Sequence, residues 1–179
     1  MESKRLRFRI PSQEDISYVF EAFHSDGFLD GMTFDAPETE KDLEESINAA
    51  YNNWQKGDAY SFSLYSKQSS EFVGRAGIRR ADGDGSWVIF YYIHPKYQRQ
   101  GYATEAAKKM LEFGFSKLNA QRIEAYHAEF NKASQRTLEK IGMEFIELMP
   151  QSFQKNGKWV ADNHFGLSKE QWIAQAALN

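Results

Sequence analysis

Seven uncharged residues, Trp87 to Ile93, rich in aromatic and β-branched side chains, are followed within eight positions by Pro95, Gly101 and a long amphipathic stretch. The run reads as a buried strand that Pro95 ends. After it, Ala103, Ala107, Met110, Leu111, Gly114 and Leu118 form one apolar helical stripe, opposite Glu105, Lys108, Lys109 and Glu112. The middle of the chain is therefore a strand-to-helix junction, which commits it to a layered fold of sheet and helix. A glycine at such a junction lets backbone approach a ligand. The free N–H groups and positive dipole end of the helix's first turn favour phosphate oxygens there.

Around this junction the chain alternates short strands and helices. Leu6, Phe8 and Ile10 alternate with Arg5, Arg7 and Arg9 up to Pro11, after which Ser12 caps a helix carrying Ile16, Val19, Phe20 and Phe23. Residues Ser25 to Pro37 read as an irregular lid or wall, and Thr39 with Asp42 opens a helix from about Glu40 to Gln55. Tyr60–Tyr65 and Phe72–Ile78 read as strands, and Asp82-Gly83-Asp84-Gly85 as a tight connection to the strand ending at His94. Arg122 to Phe130 is a further strand, Lys132 to Ile141 a helix ended by Gly142, and Met143 to Met149 another strand. Asn156-Gly157 turns a hairpin into Lys158–Leu167, and Ser168 with Gln171 caps a last helix. No repeat or linker divides the pattern. It predicts one α+β domain over residues 1–179, with a twisted, mostly antiparallel mixed sheet flanked by helices.

Composition narrows the function. The chain has no cysteine, which excludes a thiol nucleophile and a disulfide framework and suits a cytoplasmic protein. Its four histidines, His24, His94, His127 and His164, lack ligand spacing, so no metal is expected. Neither a signal core nor a membrane span is expected. The net charge of −3 conceals a polarity: eleven acidic residues against one basic between Ser12 and Glu45, then thirteen basic against eight acidic between Lys67 and Lys140. The basic half surrounds the glycine junction and the acidic half suits a cationic partner. The acidic total and the lack of a basic aromatic platform oppose nucleic-acid binding.

Gln98, Gly101 and Ala103 give Gln-x-x-Gly-x-Ala, which resembles the pyrophosphate loop of the GNAT acetyltransferases. Asn131-x-x-Ser134 through Glu139-Lys140-x-Gly142-Met143, and Asn156-Gly157-x-Trp159 with Gln171-Trp172, resemble elements of the ribosomal-protein N-terminal (RimJ/RimL) branch of that family. The resemblance implies a GNAT fold whose fourth and fifth strands splay to hold acetyl-coenzyme A. It implies that Tyr92, Ile93 and His94 offer backbone to the pantetheine arm and thioester. Gln98, Arg99, Gln100, Gly101, Tyr102, Ala103 and Thr104 would hold the pyrophosphate, and Asn131 the arm from the other strand. Arg99 and Lys96 are the nearest basic residues for phosphates. The acceptor would be an amine, either a protein N-terminus or a small cationic amine, and the protein a monomer or homodimer.

Two expected catalytic groups are missing. Val88 stands where relatives often carry a strand carboxylate, and Leu138 where many carry a tyrosine acid. Ser134 is the candidate proton donor to the thiolate, and His127 and Glu129, two apart on one strand, are candidate bases through water. Without a base the acceptor's own pKa governs: an α-amine near ~7.8 is about a tenth neutral at pH 7, a lysine near ~10.4 roughly one part in a few thousand. The gap of roughly 3.5 kcal/mol favours α-amines. The same gaps motivate an alternative, a catalytically silent acetyl-coenzyme A sensor.

Overall fold

The computed structural model describes residues 1–81 and 85–177. The tight connection read at Asp82-Gly83-Asp84 lies outside the described residues. Strand β1 (Leu6–Arg9) leads through a 3₁₀ turn (Gln13–Asp15) into α1 (Ile16–Phe23), and after residues 25–37 comes α2 (Asp42–Lys56). Strands β2 (Ala59–Ser66), β3 (Phe72–Arg80) and β4 (Trp87–Ile93) follow, then α3 (Tyr102–Lys117), β5 (Arg122–Ala128) and α4 (Lys132–Lys140). Strands β6 (Glu144–Lys155) and β7 (Lys158–Ser168) and helix α5 (Lys169–Ala176) complete the chain. The strands form one sheet in the order β1-β2-β3-β4-β5-β7-β6, antiparallel except between β4 and β5.

The main core lies between this sheet and α3. Leu6, Phe62, Ile78, Ile89, Ile123 and Leu167 meet Met110, Leu111 and Phe115, all buried. Each such side chain stabilises the fold by about 1.5–3 kcal/mol relative to exposure. Gly114 lets the helix settle on the strands, since a Cβ there would lie 2.6 Å from Ile123 Cδ1 and 2.7 Å from Ile78 Cδ1. On the opposite face a smaller cluster joins Ile16, Val19, Leu43 and Ile47 to Tyr65 and Phe72. Buried Asp15 ties α1 to β2 by accepting hydrogen bonds from Ser63 Oγ (2.6 Å) and the Tyr65 hydroxyl.

Most boundaries shift by one or two residues from the sequence reading, and three differ in substance. β6 runs through Pro150 to Lys155 rather than stopping at Met149, because it is an edge strand and Pro150 falls in an irregular stretch where its missing N–H breaks no pairing. Its register slips between Met149 and Phe153. β5 ends at Ala128, so Glu129 lies in the following turn and no longer shares a strand face with His127. The first helix begins as a 3₁₀ turn, with Asp15 accepting from the Ser12 backbone N–H at 2.8 Å. Among the described residues no helix is long and apolar enough to cross a membrane.

Candidate active site

The site follows from one break in the sheet. β4 and β5 pair only at Trp87–Ile123 and Val88–Glu124, and beyond that point they diverge. Antiparallel pairing alternates residues whose N–H and C=O face the partner with residues whose groups face away. His94 donates to Val73 O at 2.8 Å, and the register then turns Tyr92 toward Arg75 on β3. Tyr91 and Ile93 therefore turn their backbone groups into the gap. Gln98 crosses the mouth, its Nε2 donating to Ile93 O at 3.1 Å.

The gap opens into a cavity of about 870 Å³. Tyr92, Ile93, Gln98, Arg99, Gly101, Tyr102, Ala103, Thr104, Asn131 and Ser134 line it, whereas His94, Gln100, His127 and Glu129 do not. His94 is buried, and its ring Nδ1 accepts from the Lys96 N–H at 3.3 Å. The Gln100 carbonyl instead anchors the loop, accepting from Arg5 Nη1 at 2.9 Å. His127 is buried beside Phe165, with Nδ1 2.8 Å from Ala128 O. Glu129 is exposed, its backbone N–H given to Ala161 O at 2.8 Å.

The loop before α3 has a strained shape held from outside. Arg99 and Gly101 have φ of 61° and 81°, in the left-handed region that glycine tolerates and arginine rarely adopts. Arg5 stacks over the Tyr102 ring at 4.3 Å and pairs with Glu105 at 2.7 Å. Burial pushes the Glu105 carboxyl up, but hydrogen bonds from the Arg5 N–H, Ser3 and the Arg5 guanidinium outweigh it and leave the pKa lowered.

Charges of both signs line the cavity. Arg99 comes from the loop before α3, Lys132, Arg136 and Lys140 are spaced four apart on α4, and Asp26 and Asp30 come from the segment after α1. Arg99, Arg136 and Lys140 have no ion-pair partner among the described residues. Lys96 is committed elsewhere: it bonds Glu71 at 2.8 Å, and that hydrogen bond leads the set holding the Glu71 carboxyl at about 2. The three α4 cations were legible as a stripe of i, i+4, i+8 spacing, once Asn131 is taken as a helix cap.

The cap also frees the Ser134 side chain. Asn131 Oδ1 accepts from the Ser134 backbone N–H at 3.1 Å, so Asn131 caps α4 and the Ser134 hydroxyl is spared that duty. Ser134 Oγ sits 3.1 Å from the Tyr91 hydroxyl. Burial pushes the Tyr91 phenol up to about 12, against smaller opposing hydrogen bonds from Ser134 and Thr137, so it stays protonated at neutral pH. Tyr91 is not among the site residues read from the sequence. Its odd position in β4, on the α4 side of the sheet, was the available signal.

Residues 25–37 are held to the sheet and to the β6–β7 hairpin. Phe23 and Phe28 pack edge-on against the Tyr92 ring at 5.4 and 5.8 Å. Lys155, at the tip of the β6–β7 hairpin, bonds Phe34 O at 2.6 Å and Asp35 at 2.7 Å. A sheet gap with outward-facing amides, cations at its mouth and a phenol–hydroxyl pair in its wall can take an extended amide chain ending in phosphates.

Comparison with known proteins gives a consistent picture. The acetyltransferase (GNAT) domain family matches residues 5–144. The uncharacterised N-acetyltransferase YnaD of Bacillus subtilis (strain 168) is 29% identical over 171 residues, covering 95% of this chain and 97% of its own. A putative ribosomal-protein-serine acetyltransferase from Vibrio cholerae superposes with a TM-score of 0.77 at 25% identity, over 93% of this chain and 95% of that one. The fold is also shared with spermidine N-acetyltransferase from Vibrio cholerae in complex with CoA and spermine, at a TM-score of 0.82 and 17% identity, covering 94% and 98%.

Proposed function

The chain belongs to the GNAT acetyltransferase family, and from that premise we propose that it moves the acetyl group of acetyl-coenzyme A to a primary amine by direct attack in a ternary complex. We place it in the RimJ/RimL branch, with the α-amine of a protein N-terminus or a small cationic amine as acceptor. The observation that carries this reading is the cavity at the β4–β5 gap, lined by cations from the loop before α3 and from α4 and by carboxylates from the segment after α1.

Acetyl-coenzyme A supplies an activated thioester. This chain's residues bind and orient it. The Tyr91 and Ile93 amides offer strand-like hydrogen bonds to the pantetheine arm, Asn131 faces them across the gap, and the Gln98–Thr104 loop receives the pyrophosphate at the start of α3. Arg99, Arg136 and Lys140 meet phosphate charge. The lid and hairpin hold the amine against the carbonyl, which replaces a bimolecular encounter with a fixed one. Ser134, held by Tyr91, gives the departing sulfur its proton, and the high phenol pKa keeps the pair in its donating form.

Support for the acceptor class comes from two sources. Asp26 and Asp30 favour a cation, and structural neighbours include enzymes named for ribosomal-protein and spermidine acceptors. The decisive experiment follows free thiol release from acetyl-coenzyme A against N-terminal peptides, polyamines, amino acids and aminoglycosides across pH. Release with α-amines or polyamines is expected. Coenzyme binding without release on the whole panel would overturn the reading in favour of a sensor.

A further inference from the structure

A second cluster of ionisable groups lies outside the cavity, at the closed end of the gap. Val88 and Glu124 are the last paired residues before β4 and β5 part, and paired residues project on the same face of a sheet. That face is the one that carries Phe90 and Tyr92 on β4, and it looks away from Ser134, which belongs to the α4 side with Tyr91. An arm entering past Gln98 at the open end and running along β4 points toward this apex. The carboxylate that Val88 does not provide is thus present one strand over, on Glu124.

Glu124 is buried but held by polar partners. Its Oε1 lies 3.1 Å from Arg122 Nε, and its Oε2 accepts from the Tyr126 hydroxyl at 2.8 Å. His164 stacks on the Tyr126 ring at 4.5 Å and puts Nε2 3.4 Å from Glu124 Oε2. On its other side His164 Nδ1 is 3.6 Å from Glu147 Oε1. The Glu124 side chain is 10% exposed and that of Glu147 62%. A carboxylate, an imidazole and a second carboxylate therefore lie side by side across β5, β7 and β6, from the interior to solvent. They are in ionic contact rather than hydrogen-bonded, with His164 Nε2 buried and without a hydrogen-bond partner among the described residues. Beside them Phe90 and Tyr126 are 37% and 39% exposed, leaving an open aromatic approach on this face.

We propose that Glu124 is the proton acceptor for the incoming amine and that His164 and Glu147 carry the proton out to solvent. The inference rests on the acetyltransferase reading above. The ammonium form of the acceptor loses one proton to the Glu124 carboxylate, and the neutral nitrogen forms the C–N bond to the acetyl carbon. The C–S bond breaks, with its electron pair going to sulfur, and the thiolate takes a proton from the Ser134 side. The second nitrogen proton leaves by the same Glu124 route. Base and acid act from opposite faces of the sheet, so neither competes for the other's space. A base in this position removes the reason to restrict acceptors to α-amines, and polyamines come within reach.

The test compares wild type, Glu124→Gln and Glu147→Gln for thiol release across pH and for coenzyme A affinity by calorimetry. Glu124→Gln should lower kcat by about 10²-fold or more, with coenzyme affinity unchanged. Its remaining rate should follow the acceptor's own ionisation, with Arg122, Tyr126, Glu147 and His164 intact. Glu147→Gln, on an exposed side chain, should slow turnover several-fold and be restored by imidazole buffer, which a purely structural role would not allow. Wild-type turnover with an unaffected Glu124→Gln rate would overturn this proposal and leave the acetyltransferase reading standing. Absence of wild-type turnover would overturn both. If Glu124→Gln does not fold, Glu147→Gln decides: a slowed rate that buffer restores upholds the relay, and an unchanged or unrescued rate sinks it.

Discussion

Replacing Gly101 by alanine isolates a single physical quantity. The residue has φ 81° and ψ 6° at the start of α3, and an added Cβ would stand 3.5 Å from Arg5 Nη2, an ordinary contact. Sterics with the neighbours therefore contribute little. What remains is the backbone cost of holding an L-residue in the left-handed region, about 1–2 kcal/mol. The chain can meet it in two ways. If the loop keeps its shape, the whole cost appears as lost stability. If the loop relaxes when empty, it must be re-formed on binding, and the cost appears in coenzyme affinity. Urea denaturation and coenzyme A calorimetry on the same samples should then give losses that sum to about 1–2 kcal/mol, equal to a factor of roughly 5–30 shared between the two equilibria. Gly101→Asn should lose less, since asparagine visits this region more readily. A Gly101→Ala protein unchanged in both would refute the reasoning, as would an asparagine variant worse than alanine.

Three further outcomes follow from the site. Ser134→Ala should slow turnover about 10²-fold with coenzyme affinity intact, and Tyr91→Phe should give a smaller loss, since it removes a partner of the donor and not the donor itself; steady-state kinetics with binding calorimetry separates the two. Arg136→Ala should weaken coenzyme A binding and flatten its dependence on added salt, measured by calorimetry from low to high ionic strength. Glu105 has its pKa lowered by folding, so its stabilising contribution is complete above the unfolded value of 4.5 and is lost as pH falls through the folded one. Thermal melts of wild type and Glu105→Gln should therefore differ near neutral pH and converge in acid.

Most of the architecture was legible because local signals agreed with one another. The alternation of Leu6 and Phe8, the α3 stripe and the Asn156-Gly157 turn, which has φ of 50° and 73°, each imply one local geometry. β6 was cut short because a proline argues against a strand unless its edge position is known, and edge position is a property of the whole sheet. The turn from Gln98 to Thr104 into α3 was legible for the same local reason. The Glu124, His164 and Glu147 series was not. Its members lie 17 to 40 positions apart and meet only through β5–β7–β6 pairing, which crosses the chain order. Tyr91 was hidden differently: strand parity gives its face, but not that α4 would bring Ser134 to its hydroxyl.

The Lys155 strap joins two segments that chain order keeps 120 residues apart. The Lys155 side chain is 13% exposed but that of Asp35 is 88%, and a pair open to solvent on one side holds by about 1 kcal/mol or less. It is strong enough to set the resting position of the lid and weak enough to part on every catalytic cycle. Two surface insertions, meeting at one lysine, thus form a wall that can be exchanged as a unit. Transplanting residues 25–37 together with the hairpin tip should carry acceptor preference from one such enzyme to another, whereas either segment moved alone would meet a partner cut to a different shape.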